Sequence, residues 1–98
     1  MVADDAAAAI GACEHLVRVY EAVYPPHHPL LGLQLYTLGD LYARQDNGGA
    51  RKLARAALER AARALEVTHG EQHELPRGAR ALLSELNAEE ERVVIPAQ

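Results

Sequence analysis

Four of the five histidines stand in two close groups, His27 with His28 and His69 with His73, and the single cysteine, Cys13, lies well before them. Imidazole and thiolate are the ligands of structural zinc, which takes four of them in a tetrahedron. The four-residue step from His69 to His73 would set both on one helix face, but Gly70 between them reads as a helix end. Capping or packing at inter-helix corners is therefore favoured over metal ligation. A nucleophilic thiol needs a lowered pKa and a base oriented beside it, and His15, two residues from Cys13, points to another side of a helix. Cys13 falls on an apolar stripe, where a lone cysteine behaves as a small buried hydrophobe. No GxGxxG or Walker-type loop occurs, and Gly48-Gly49 reads as a turn. The expected catalytic, cofactor-binding and metal-ligating residues are none.

Charge narrows the partners. The formal net charge is −4, which gives no reason to expect nucleic acid or an anionic membrane. Locally, Arg44, Arg51, Lys52, Arg55, Arg60 and Arg63 outnumber Asp46 and Glu59, while Glu85, Glu89, Glu90 and Glu91 make the tail acidic. With no aromatics interleaved for base stacking, the basic run reads as the solvated outer face of a helix; a docking patch for an acidic protein is the alternative. One cysteine allows no internal disulfide, and no signal peptide or apolar run of transmembrane length is visible, so an intracellular protein, cytoplasmic or nuclear, is expected.

The elements that would carry these residues are helices. Phe and Trp are absent, and β-branched residues are few, with seven valines, two isoleucines and two threonines, so Ala and Leu must do the packing. A single all-α domain over residues 1–98 is expected. Asp4 and Asp5 suit a helix start, and Ala9, Cys13, Leu16, Tyr20 and Val23 form a stripe, predicting a helix over 5–23 that Pro25-Pro26 ends. The second helix, 29–45, opens on Pro29 and aligns Leu31, Leu35, Leu38, Leu41 and Tyr42. Asp46-Asn47-Gly48-Gly49 predicts a turn. The third, 50–68, sets Ala50, Leu53, Ala57, Ala61, Leu65 and Thr68 on one side, with Gly70 as a left-handed terminator. The fourth, 74–90, tolerates Pro76 in its first turn and aligns Leu75, Ala79, Leu82, Leu83 and Leu86. Residues 91–98 read as a frayed tail.

Short loops make neighbouring helices antiparallel. A shift of 45 residues sets Ala9 on Ala54, Ala12 on Ala57, Glu14 on Glu59, Arg18 on Arg63, Glu21 on Glu66, His28 on His73, Leu30 on Leu75, Leu38 on Leu83, Leu41 on Leu86 and Ala43 on Ala88. Such repetition predicts stacked hairpins. The run Leu35, Leu38-Gly39, Tyr42 and then Ala54 resembles the tetratricopeptide pattern, in which a small residue, here Gly39, lets two helices approach closely. In this register the first helix is the second member of a hairpin. Its partner would precede Met1, and the face with Ala8, Ala9, Ile10, Ala12, Cys13 and Val17 is expected to be exposed, open to self-association.

Two stretches, Tyr24-Pro25-Pro26-His27-His28-Pro29-Leu30-Leu31-Gly32-Leu33-Gln34-Leu35-Tyr36 and Val67-Thr68-His69-Gly70-Glu71-Gln72-His73, resemble the C-terminal helical region of the SET-and-MYND-domain protein-lysine methyltransferases, the plant branch above all. The resemblance spans roughly residues 6 to 88. It implies about four helices in a right-handed tetratricopeptide-like array that closes one side of a substrate cleft and meets protein partners, a chaperone or the parent SET domain among them. S-adenosylmethionine and zinc belong in that family to the SET and MYND parts. Neither part is present here, so no catalytic residue carries over and the chain alone is expected not to be an enzyme. The connection from Gln45 to Gly49 is about three residues longer than the family spacing. A free-standing tetratricopeptide adaptor is the alternative, weakened because the second helix offers Gln34, Thr37 and Asp40 but no base before Arg44.

Overall fold

A computed structural model describes residues 2–45 and 47–94, with side-chain surroundings for residues 5–45 and 47–89. Four helices follow one another: α1 Val2–Val23, α2 Pro29–Ala43, α3 Gly48–His69 and α4 Glu74–Val94. No strand occurs among the described residues, and the architecture is an all-α array of helical hairpins. Among the described residues no helix is long and apolar enough to cross a membrane.

The ends of the helices have local causes. The Tyr24 amide donates to the Tyr20 carbonyl at 2.8 Å, and the prolines then stop α1. Pro29 opens α2, where its missing N–H is no loss. Asn47 caps α3, its Oδ1 accepting from the Ala50 amide at 2.7 Å. Gly48 and Gly49 are consequently the first turn of α3 and not part of the loop, so the connection is shorter than the turn residues imply. Gly70 takes φ 90° and ψ 151°. Its positive φ is as expected, but the extended ψ is outside the left-handed helical region and suits only glycine.

α3 runs from Gly48 to His69 where 50–68 is expected, and boundaries of the other helices shift as well. α1 is already helical at Val2, so Asp5 sits inside it and not at its cap, while the side chain of Asp4 lies outside the described residues. α2 ends at Ala43, with Arg44 as its cap. α4 continues to Val94, which removes residues 91–94 from the expected frayed tail, and residues 95–98 lie outside the described residues, as does Asp46.

The core is built around α2, whose backbone approaches all three other helices, whereas that of α1 approaches only α2. Leu31, Leu35, Leu38 and Tyr42 are buried as their spacing predicts, and so are Ala79, Leu83 and Leu86 on α4. At Gly39 an added Cβ would lie 2.6 Å from Leu58 Cγ, so the two helices meet where only hydrogen fits. A lesser approach recurs at Gly32, whose added Cβ would be 3.2 Å from Ala64 Cβ. The two contacts run in opposite senses along the helices, so α2 and α3 are antiparallel.

Two stripes differ from expectation. On α3 the buried set is Ala54, Ala57, Leu58, Ala61, Ala62, Ala64 and Leu65, while Leu53 and Thr68 are exposed. On α1 the packed residues are Cys13 and Val17, with Ile10 and Tyr20 half-buried against the core. Ala9, Leu16 and Val23 are exposed. The face expected to be open therefore divides: α2 covers Cys13 and Val17, and Ala8, Ala9 and Ala12 remain in solvent. The reason is geometric, since a helix apolar over most of its circumference has several stripes at three-and-four spacing, and its neighbour chooses one.

Candidate interaction surface

The histidines work at the corners. His28 Nδ1 accepts from the Leu30 amide at 3.1 Å, and 45 residues on His73 Nδ1 accepts from the Leu75 amide at 3.1 Å. Each therefore supplies the acceptor that a helix start lacks. The ring partner repeats too: Tyr24 stacks on His28 with centroids 3.9 Å apart, and His69 meets His73 at 4.6 Å. Tyr24 and His69 are themselves 45 residues apart, so the repeat extends to the ring partner, although the rings are stacked at 13° in the first corner and tilted at 56° in the second. His27 lies instead beside Pro26, Arg60 and Arg63, around a notch of about 140 Å³. No group of three or more potential metal ligands forms among the described residues.

Cys13 sits in the α1–α2 seam, where its thiol donates to the Gln34 carbonyl at 3.5 Å and to Gln34 Oε1 at 3.4 Å. Burial and the neighbouring Glu14 carboxylate push its pKa up, the reverse of what a nucleophile needs. In the same seam the Tyr42 hydroxyl donates to Glu14. Burial, that hydrogen bond and the Glu14 charge push Tyr42 up to about 12. This polar contact between the first two helices had no signal in the sequence, since Glu14 and Tyr42 are 28 residues apart and neither the repeat nor the apolar stripe pairs one with the other.

The basic run divides among separate contacts. Arg44 pairs with Asp40 at 3.0 Å, and Arg60 reaches across to Glu21 of α1 at 2.6 Å. Lys52, Arg60 and Arg63 are exposed on the outer side of α3, opposite its buried alanines. Another cross-helix clasp is Arg80 of α4, bidentate on Glu66 of α3 at 2.8 and 3.0 Å. Those bonds hold the Glu66 carboxyl below its usual range. The clasp lies in an open groove of about 480 Å³, lined also by Glu71, Gln72, Arg77 and Ser84. Along α2, Gln34 accepts from Cys13, Thr37 donates to the Leu33 carbonyl and Asp40 holds Arg44. Each of these polar groups makes a contact within the chain.

No family model matches the chain, and no solved structure does. Among curated proteins it is related to the histone-lysine N-methyltransferase ASHR1 of Arabidopsis thaliana, with 38% identity over 81 residues. Those residues make up 83% of this chain and 16% of that protein, so the chain spans about a sixth of the length of the relative.

Proposed function

We propose that the chain is a non-catalytic, partner-facing helical region of a SET-and-MYND-type protein-lysine methyltransferase, tetratricopeptide-like and placed at the C-terminal end of such a protein. The observation that supports the reading most is the 38% identity to a histone-lysine methyltransferase over 83% of this chain. The two stretches that carry the resemblance also build the two histidine-capped corners, whose residues serve the fold and leave the outer surfaces to partners. Its role in a methyltransferase would be to close one side of the cleft and to hold protein partners, with S-adenosylmethionine and zinc bound by the SET and MYND parts.

The test is complementation. The Arabidopsis relative is prepared without the 81 matched residues and assayed for methyl transfer to histone, with and without this chain. Restored transfer is expected, together with no transfer by this chain alone above a boiled control. Turnover by the chain alone would overturn the non-catalytic assignment, and unchanged activity on addition would overturn the cleft-closing role.

A further inference from the structure

The fold finds work for three of the grouped histidines and none for His27. His28 and His73 cap helices, and His69 packs against His73. The exposed imidazole of His27 stands instead with Pro26 and with Arg60 and Arg63 of α3 around the notch of about 140 Å³. The notch lies between the α1–α2 connection and α3, and no acidic side chain is among the four residues that line it.

Arg63 has an acid one turn away on each side, Glu59 at i−4 and Glu66 at i+3, the spacings at which helical ion pairs form. Glu66 is clasped instead by Arg80 through both carboxylate oxygens, and Glu59 makes no ion pair with Arg63. Among the described residues the Arg63 guanidinium therefore has no carboxylate partner, and it lines the notch beside His27. Arg60 reaches the same notch while its Nη2 donates to Glu21 of α1 at 2.6 Å, a bond that uses part of its N–H fork and leaves the rest. Two guanidinium charges meet one carboxylate, so positive charge is left over.

We propose that this notch binds a single phosphate group, either the phosphorylated side chain of a partner protein or free phosphate. A phosphate monoester carries a charge of about −1.5 to −2 at neutral pH and three strong acceptor oxygens. The notch offers three donors of matching kind, two guanidinium forks and an imidazole, and arginine forks bond phosphate bidentately. A carboxylate brings one charge and two oxygens, and it must compete for Arg60 with the carboxylate of Glu21 already there. A long polyanion is disfavoured by the net charge of −4, and no Phe, Tyr or Trp lines the notch for a base to stack on. The proposal stands on the notch alone and is independent of the methyltransferase reading.

The test titrates the full chain with inorganic phosphate, a capped Gly-Gly-phosphoserine-Gly-Gly peptide, the same peptide without phosphate, and acetate, following arginine side-chain and His27 ring signals by NMR. Saturable shifts at His27, Arg60 and Arg63 are expected with a phosphate ligand and with neither control. Tighter binding of the phosphopeptide gives the notch to a modified partner chain, and binding no tighter than that of inorganic phosphate gives it to the free anion. Arg63→Gln should weaken binding about threefold or more, the scale of one exposed ion pair, and Arg60→Gln combined with it should abolish saturation. Glu21→Gln releases Arg60 and should strengthen binding at least about twofold, a gain that loss of folding does not produce. Absence of saturation with both phosphate ligands, equal shifts with acetate, or an affinity that Glu21→Gln leaves unmoved would overturn the inference. So would a duplex oligonucleotide that binds through the same residues more tightly than the phosphopeptide at physiological salt.

Discussion

At the scale of single residues, glycine and tyrosine show how the same side chain acquires its value from its surroundings. Gly11 lies mid-helix with nothing within 4 Å of an added Cβ, whereas at Gly39 that atom would press on the fully buried Leu58 at 2.6 Å. Gly11→Ala is therefore expected to raise stability by about 0.5–1 kcal/mol through helix propensity alone. Gly39→Ala gains the same propensity but overpacks the seam at a cost of about 1–3 kcal/mol, so a net loss is expected. Urea denaturation of the two variants checks the opposite signs. Tyr42 makes a pH prediction. Its ionisation is pushed from the ordinary 10 up to about 12, first by burial and then by the hydrogen bond to Glu14 and its charge. A pKa raised in the fold means that the contribution is whole below pH 10 and is lost as pH rises from 10 through about 12. Ultraviolet titration should show a late phenol phase, and Tyr42→Phe should remove it. The hydrogen bond to a carboxylate is worth about 1.5–3 kcal/mol, so Tyr42→Phe should also lower stability at neutral pH by up to that amount.

Among the elements, cohesion is unequal. α3 buries seven side chains and α2 buries six residues, two of them glycine, but only Cys13 and Val17 are fully buried among the described residues of α1. The backbone of α1 also has a single neighbour. Local opening follows the amount of apolar surface that must be exposed, so α1 should open before the rest. Native-state hydrogen exchange is expected to show α1 amides exchanging faster than those of α2 and α3, with α4 between them. Protection of α1 equal to that of α3 would show that the α1–α2 seam, with its Tyr42 to Glu14 contact, holds more strongly than its burial indicates.

The whole molecule is a slab of 48 × 36 × 19 Å, about two helix diameters thick. Its Cα radius of gyration is 14.2 Å, above the ~12.6 Å of a compact domain of this length. Stacked hairpins grow sideways and do not close into a ball, which leaves a large surface for few residues. Small-angle scattering from a dilute solution is expected to give a radius near 14.2 Å. A value near ~12.6 Å would mean that the helices close into a globular bundle.

The helical class and most helix ends were legible in the sequence because their causes are local. Pro25-Pro26, Pro29 and Gly70 act through their own backbone restrictions, whatever packs nearby. The α2 stripe was legible for a related reason, since Leu31, Leu35, Leu38 and Tyr42 are large side chains that must be buried wherever the helix goes. The repeated histidine corners were legible as a repeat, and their matching hydrogen bonds follow from it. Asn47 is a turn residue by type, and only the capping contact to Ala50 sets Gly48 and Gly49 inside α3. What the tertiary structure decided was which face of an alanine-rich helix turns inward. Ala, Leu and Val encircle much of α1 and α3, so Ala9-Leu16 and Cys13-Val17 are equally good stripes by spacing. The choice falls to α2, whose close approach buries Leu58 on α3 and leaves Leu53 outside. It covers Cys13 and Val17 on α1 and leaves Leu16 and Val19 in solvent, because burial is a property of the neighbour as much as of the residue.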